Sequence, residues 1–202
     1  MNTGYVYPLL KTHKIEKEEL PNCELKDIPI RLVQAVGNTF LSKTTALLEE
    51  LMKPISVAYC KDIVNEYCKD SLSYIQKLNI WKNNASEDKL YYKLIAADVK
   101  SLYPSLSREL IEKALKEAVS LFSNWSKTGQ STFVNLCMNC LKNQILEFQG
   151  SFYTQKHGIV TGENNSVSLA NVALHYIIRK ITEINTYTFV FPRFIDNIML
   201  IT

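Results

Sequence analysis

The 202-residue sequence has no uncharged run long enough to cross a bilayer. Its longest, Asn164 to Ile178, is 15 residues and carries Asn, Ser and His, whereas a span needs about 20 apolar residues. The first residues, Met1-Asn2-Thr3-Gly4-Tyr5, give no basic-then-apolar leader pattern. Six glycines without a period exclude a collagen-like chain. Five cysteines without dense, regular spacing exclude a disulfide miniprotein and predict reduced thiols in an intracellular protein. Neither sign of charge prevails, with 23 Lys+Arg against 20 Asp+Glu and a net charge of +3. Residues 1–93 carry 13 basic and 12 acidic side chains and residues 94–202 carry 10 and 8, so bulk charge does not by itself point to nucleic acid. There is no internal repeat and no low-complexity linker.

What is present is a 47% hydrophobic composition, enough to bury a core. Tyr5 to Arg31 is punctuated by Pro8, Pro21 and Pro29 and reads as extended strands and loops. Leu41, Leu47, Leu48 and Leu51 share a face and predict a helix from Thr39 to Lys53, ended by Pro54. Ile63 to Leu78 predicts one or two further helices, and polar Asn79 to Lys89 a loop. Leu94-Ile95-Ala96-Ala97 reads as a buried strand that stops at Asp98. Helices are predicted over Arg108 to Phe122, Ser131 to Lys142 and Ser166 to Arg179. Ile145 to Phe148 and Phe152 to Gln155 flank Gln149-Gly150-Ser151 as a hairpin. Tyr187 to Phe194 and Ile198 to Ile201 flank Asp196-Asn197 as a second. The order predicts an α+β fold with a sheet backed by helices.

Two carboxylates stand out by context. Asp98 ends an apolar strand, and Asp196 sits in the turn of a hairpin whose arms are nearly all apolar. An ionised carboxylate beside so much apolar surface is costly unless compensated. A divalent metal is one compensator; the plainer reading is that both residues shape turns. Cys137-Met138-Asn139-Cys140 has the form of half a metal site, but no second pair follows at zinc spacing, and helical periodicity assigns both thiols to core packing.

The words around the carboxylates carry a resemblance. Ala97-Asp98-Val99-Lys100-Ser101-Leu102-Tyr103-Pro104-Ser105-Leu106 resembles motif A of reverse transcriptases. Gln155-Lys156-His157-Gly158-Ile159-Val160-Thr161-Gly162, with Ser166 and Leu169-Ala170-Asn171, resembles motif B. Phe194-Ile195-Asp196-Asn197 resembles the Tyr-x-Asp-Asp turn of motif C. Tyr7 to Lys14, Ile28 to Val33, and Asp70-Ser71 with Tyr74-Ile75 resemble the fingers of one branch, the Penelope-like retroelements. The resemblance implies a fingers region over residues 1–93 and a palm over residues 94–202. The chain ends six residues after Asp196, so the expectation is fingers and most of a palm, with the thumb absent.

The implied activity is RNA-directed DNA synthesis on a primer 3′-hydroxyl, with an RNA template, a DNA primer and deoxynucleoside triphosphates as partners. Localisation would be nuclear in a eukaryotic host. The implied cofactor is a pair of Mg²⁺ ions, with Mn²⁺ as a substitute, held by Asp98, Asp196 and the Val99 carbonyl; these are hard oxygen donors. Asn197 stands where most of the family has a second catalytic Asp. Tyr103 would press on the incoming sugar, with a core tyrosine as the alternative. Arg31 would grip the triphosphate, joined by Lys11 or Lys14. Gly158 and Gly162 would let backbone approach the nucleotide, and Gln155 would lie near the base or template. The chain reads Thr161-Gly162-Glu163 where the family often has Met-Gly-Ser-Pro, so it lacks a proline and gains an acid. The alternative function is a catalytically impaired or domesticated domain that binds template–primer without efficient synthesis.

Overall fold

The computed structural model describes the backbone of residues 3–12, 15–16, 18, 22–61, 68, 71–84, 94–184, 189–194 and 197–201. Strands β1 (Gly4–Leu10) and β2 (Ile30–Ala35) form an antiparallel pair in which Tyr7 faces Val33 and Leu9 faces Arg31. Strands β4 (Ile145–Phe148) and β5 (Ser151–Thr154) form a hairpin whose two turn residues, Gln149 and Gly150, have φ of 50° and 76°. Positive φ at both positions matches strand twist in two-residue hairpins, which is why Gly stands there. The turn is one residue shorter than predicted, because Ser151 pairs with Phe148. β1 also runs parallel to β4, giving a four-stranded sheet in the order β2-β1-β4-β5. Gly4 lies at that junction: a Cβ there would stand 2.7 Å from Val36 Cγ1.

The main core is helical. Helices α1 (Ser42–Lys61), α4 (Arg108–Phe122), α5 (Lys127–Asn143) and α6 (Ser166–Ile184) pack on one another. They bury Leu48, Met52, Tyr59, Ile111, Leu115, Cys137 and Leu169, among others. The packing crosses the 93/94 division, for example through α1 and through the β1–β4 pair. α4 is capped by Ser107, whose Oγ accepts from the Leu110 amide at 3.2 Å. Ser126 caps α5 by accepting from Gly129, so that helix begins a turn earlier than its apolar pattern indicates. Cys137 and Cys140 face this core as free thiols, and burial pushes the Cys137 thiol up to about 12.

Two helix ends differ from expectation. α1 runs through Pro54 to Lys61. An interior proline costs about 3 kcal/mol, but the turns after it bury Ile55, Tyr59 and Cys60, and each large apolar side chain returns about 1.5–3 kcal/mol. Helix α2 (Ser71–Asn84) continues into the stretch expected as a loop; asparagine lowers helix propensity only slightly and does not break a helix.

A second sheet has the order β3-β7-β6, all antiparallel, with β3 (Leu94–Asp98), β6 (Phe189–Phe194) and β7 (Asn197–Ile201). The register slips between Phe191 and Phe194, where Pro192 has no N–H to give the ladder. One expectation needs correction. β3 is an outer strand, and Ala96, Ala97 and Asp98 are exposed rather than buried. Helix α2 contacts the sheet at β6, while α4 and α6 pack with each other and with α1. Among the described residues, no helix is long and apolar enough to cross a membrane.

Candidate nucleotide and nucleic-acid site

Asp98 is the last residue of β3 and the register partner of Asn197, the first residue of β7. Antiparallel pairing thus brings the end of the motif A strand beside the start of the motif C strand. Asp196 and Lys14 lie outside the described residues. Asp98 is exposed, so its carboxylate is open to a ligand. No three His, Cys, Asp or Glu side chains come together among the described residues. The Asp98 carboxylate is a hard oxygen donor, the kind that Mg²⁺ prefers.

After Asp98 the chain passes Val99, which is half-buried, and reaches Ser101 with φ 54° and ψ 50°. A left-handed serine is uncommon and strained. It turns the chain sharply into the short helix α3 (Leu102–Ser105). Tyr103 there is half-buried against the main core, an arrangement that accounts for part of the ring without a nucleotide. Its carbonyl accepts from the Ile159 amide at 2.8 Å.

The motif B loop is held from two sides. On the first, Gly158 has φ +75°, and a Cβ on it would stand 2.4 Å from the Tyr103 carbonyl oxygen and 2.5 Å from Pro104 Cα. On the second, Gly162 has φ +99°, and its Cβ would stand 2.6 Å from the Gln34 carbonyl oxygen. Both glycines are therefore needed where the protein's own backbones meet.

Gln34 on β2 is the hub of the second contact. Its Nε2 donates to Gln155 Oε1 at 2.5 Å, and its Oε1 accepts from the Thr161 amide at 2.7 Å and the Thr161 hydroxyl at 3.2 Å. Gln155 Nε2 in turn donates to the His157 carbonyl at 2.6 Å. The Gln155 side chain is thus engaged within the loop. Arg108 supplies a further tie, donating through Nη2 to the carbonyls of Leu141, at 3.1 Å, and Gln155.

Glu163, the departure in motif B, is half-buried and accepts from the Thr45 hydroxyl at 2.7 Å. Asn164 Nδ2 donates to the Ser42 carbonyl at 2.9 Å. These bonds dock the end of the loop onto the first turn of α1. Burial raises the Glu163 carboxyl above its ordinary range, opposed by the Thr45 hydroxyl and the Asn164 backbone.

Arg31 is exposed on β2, paired with Leu9. Side chains alternate along a strand, so Arg31 shares a face with Tyr7 and lies opposite Gln34. The structure therefore separates Arg31 from the Gln155 and Gly162 contacts. Lys11 closes the other end of the hairpin, its amide donating to the Pro29 carbonyl at 2.8 Å.

Sequence reasoning missed Gln34, Arg108 and the clamp role of Glu163. Only Arg108 carried a signal: a cation at a helix N-terminus opposes the macrodipole, so it needs a different partner.

No protein-family model matches the chain, and no curated protein matches it. Solved structures do. An apo telomerase from Candida tropicalis, truncated from its C-terminal domain, superposes with a TM-score of 0.62 at 12% identity, over 87% of this chain and 41% of that one. A telomerase from the same organism in complex with a fragment of telomeric RNA gives 0.66 at 11%, over 87% and 34%. The corresponding Candida albicans complex gives 0.62 at 11%, over 100% and 38%. The chain thus has a reverse-transcriptase-like fold and spans about four-tenths or less of the telomerase chains it resembles.

Proposed function

We propose that the chain forms the fingers and palm of an RNA-directed DNA polymerase related to the Penelope-like retroelements. It would extend a DNA primer with deoxynucleotides along an RNA template. The observation that carries this reading is the register pairing of Asp98 with Asn197, within a fold shared with telomerases, two of which are solved with telomeric RNA. Asp98 and Asp196, with the Val99 carbonyl, would hold Mg²⁺ or Mn²⁺. Such an ion supplies charge stabilisation at phosphoryl oxygens. The chain's own residues would do the positioning on which phosphoryl transfer depends. Arg31, with Lys11 or Lys14, would bind the triphosphate through charge-assisted hydrogen bonds. Tyr103 would limit the space at the sugar. Gln155 would act through the loop it helps to hold.

A second reading is favoured by one observation: the position paired with Asp98 carries an amide rather than a second carboxylate. Under it, the domain grips template–primer with little synthesis. Binding of a labelled RNA–DNA duplex at rising salt tests the part common to both readings. Phosphate contacts predict affinity that falls steeply with salt; no binding at low salt contradicts both.

A further inference from the structure

Gln144 lies between α5 and β4, only 2% exposed. Neither end of its side-chain amide, Nε2 or Oε1, has a hydrogen-bond partner. Glu163 has the same deficit at one oxygen: Oε2 accepts from Thr45, while Oε1 is buried and unpaired. Native proteins satisfy nearly all such groups, with ordered water where protein partners are lacking. The two side chains line one cavity of about 10 Å³, together with Thr45, Asn165, Leu141 and Val160. That volume is about the least that holds a single water.

We propose that this cavity binds one structural water, bonded to the Gln144 amide and to Glu163 Oε1. The water would complete a three-way joint. Glu163 and Asn165 belong to the end of the motif B loop, Thr45 to α1, and Gln144 to the α5–β4 junction. Direct bonds already tie the loop to α1 through Glu163–Thr45 and Asn164–Ser42. The water supplies the missing tie to α5 and gives the added acid of this loop a structural task.

A crystal structure of the 202-residue chain tests this, at a resolution that shows ordered water. The expected result is one spherical peak within hydrogen-bond distance of Gln144 and Glu163 Oε1, with no anomalous signal after a thallium(I) soak. An empty cavity, a direct Gln144–Glu163 bond that closes it, or a thallium peak marking a cation site would each overturn the proposal. In solution, Gln144→Leu and Glu163→Gln should couple in a double-mutant cycle by about threefold or more in the unfolding equilibrium constant. Additive effects would overturn it as well. Neither readout depends on polymerase activity.

Discussion

The Tyr103 carbonyl lies where a side chain on Gly158 would have to go: a Cβ there would stand 2.4 Å from that oxygen. The adjoining Ile159 amide bonds the same oxygen at 2.8 Å. Motif A and the motif B loop therefore meet backbone to backbone. Gly158→Ala would combine a left-handed residue, at about 1–2 kcal/mol, with overpacking at about 1–3 kcal/mol. Thermal unfolding should show a melting point several degrees lower; an unchanged melting point would mean that the two segments are not in this contact.

Glu163 makes stability depend on pH. Its folded carboxyl titrates above its ordinary 4.5, mainly through burial. The protonated form therefore favours the fold. That contribution is fully present below the unfolded value and is lost as pH rises through the raised folded value. Glu49 on α1 has the same sign, with burial opposed first by its bond from Ser168. Glu163→Gln should flatten the decline in stability on the alkaline side of pH 4.5, as read by urea unfolding across pH 4 to 8. An unaltered slope would remove Glu163 from this role.

Tyr103 has two readings that one substitution separates. If its ring borders the sugar, Tyr103→Val should raise ribonucleotide incorporation by about tenfold, for about 1.4 kcal/mol of relieved crowding. If its packing against the core is the whole of its role, the same change should lower stability and leave sugar discrimination alone. Competition between paired deoxy- and ribonucleotides measures the first, and thermal unfolding the second.

Much of this fold was legible because binary pattern and turn chemistry agree along most of the chain. α4 begins at Arg108 and ends at Phe122 as its amphipathic spacing predicts, and the Gln149-Gly150 turn is marked by its glycine. Illegible features were those decided by tertiary contact. Pro54 reads as a helix end until the burial of Tyr59 beyond it is known. The apolar run Leu94–Ala97 reads as buried, yet its outer place in the sheet exposes Ala96 and Ala97. At the candidate site, the motif words located Asp98 and Asn197, which the register pairs. They did not reveal that Gly158 and Gly162 serve protein backbone, because a glycine's neighbour across space leaves no mark in the sequence. Gln34 looked like any polar strand residue, although it holds the loop through three hydrogen bonds.

Asn197 bears on metal demand. Asn197→Asp adds a negative charge beside Asp98, its register partner. At an effective dielectric of about 20, one close charge pair contributes about 4 kcal/mol, less the cost of desolvation. The Mg²⁺ concentration for half-maximal activity or nucleotide binding should fall by about tenfold or more. No change would place residue 197 away from the ion.

The central claim is tested most directly by primer extension on an RNA template with Mg²⁺ or Mn²⁺, comparing the chain with its Asp98→Asn variant. The change is nearly isosteric and falls on an exposed residue, so folding should be retained and circular dichroism should superimpose. The account predicts template-directed addition of deoxynucleotides by the unaltered chain, however slow, and its loss in the variant while duplex binding persists. Extension that survives Asp98→Asn, or a chain that neither extends nor binds an RNA–DNA duplex, would contradict it.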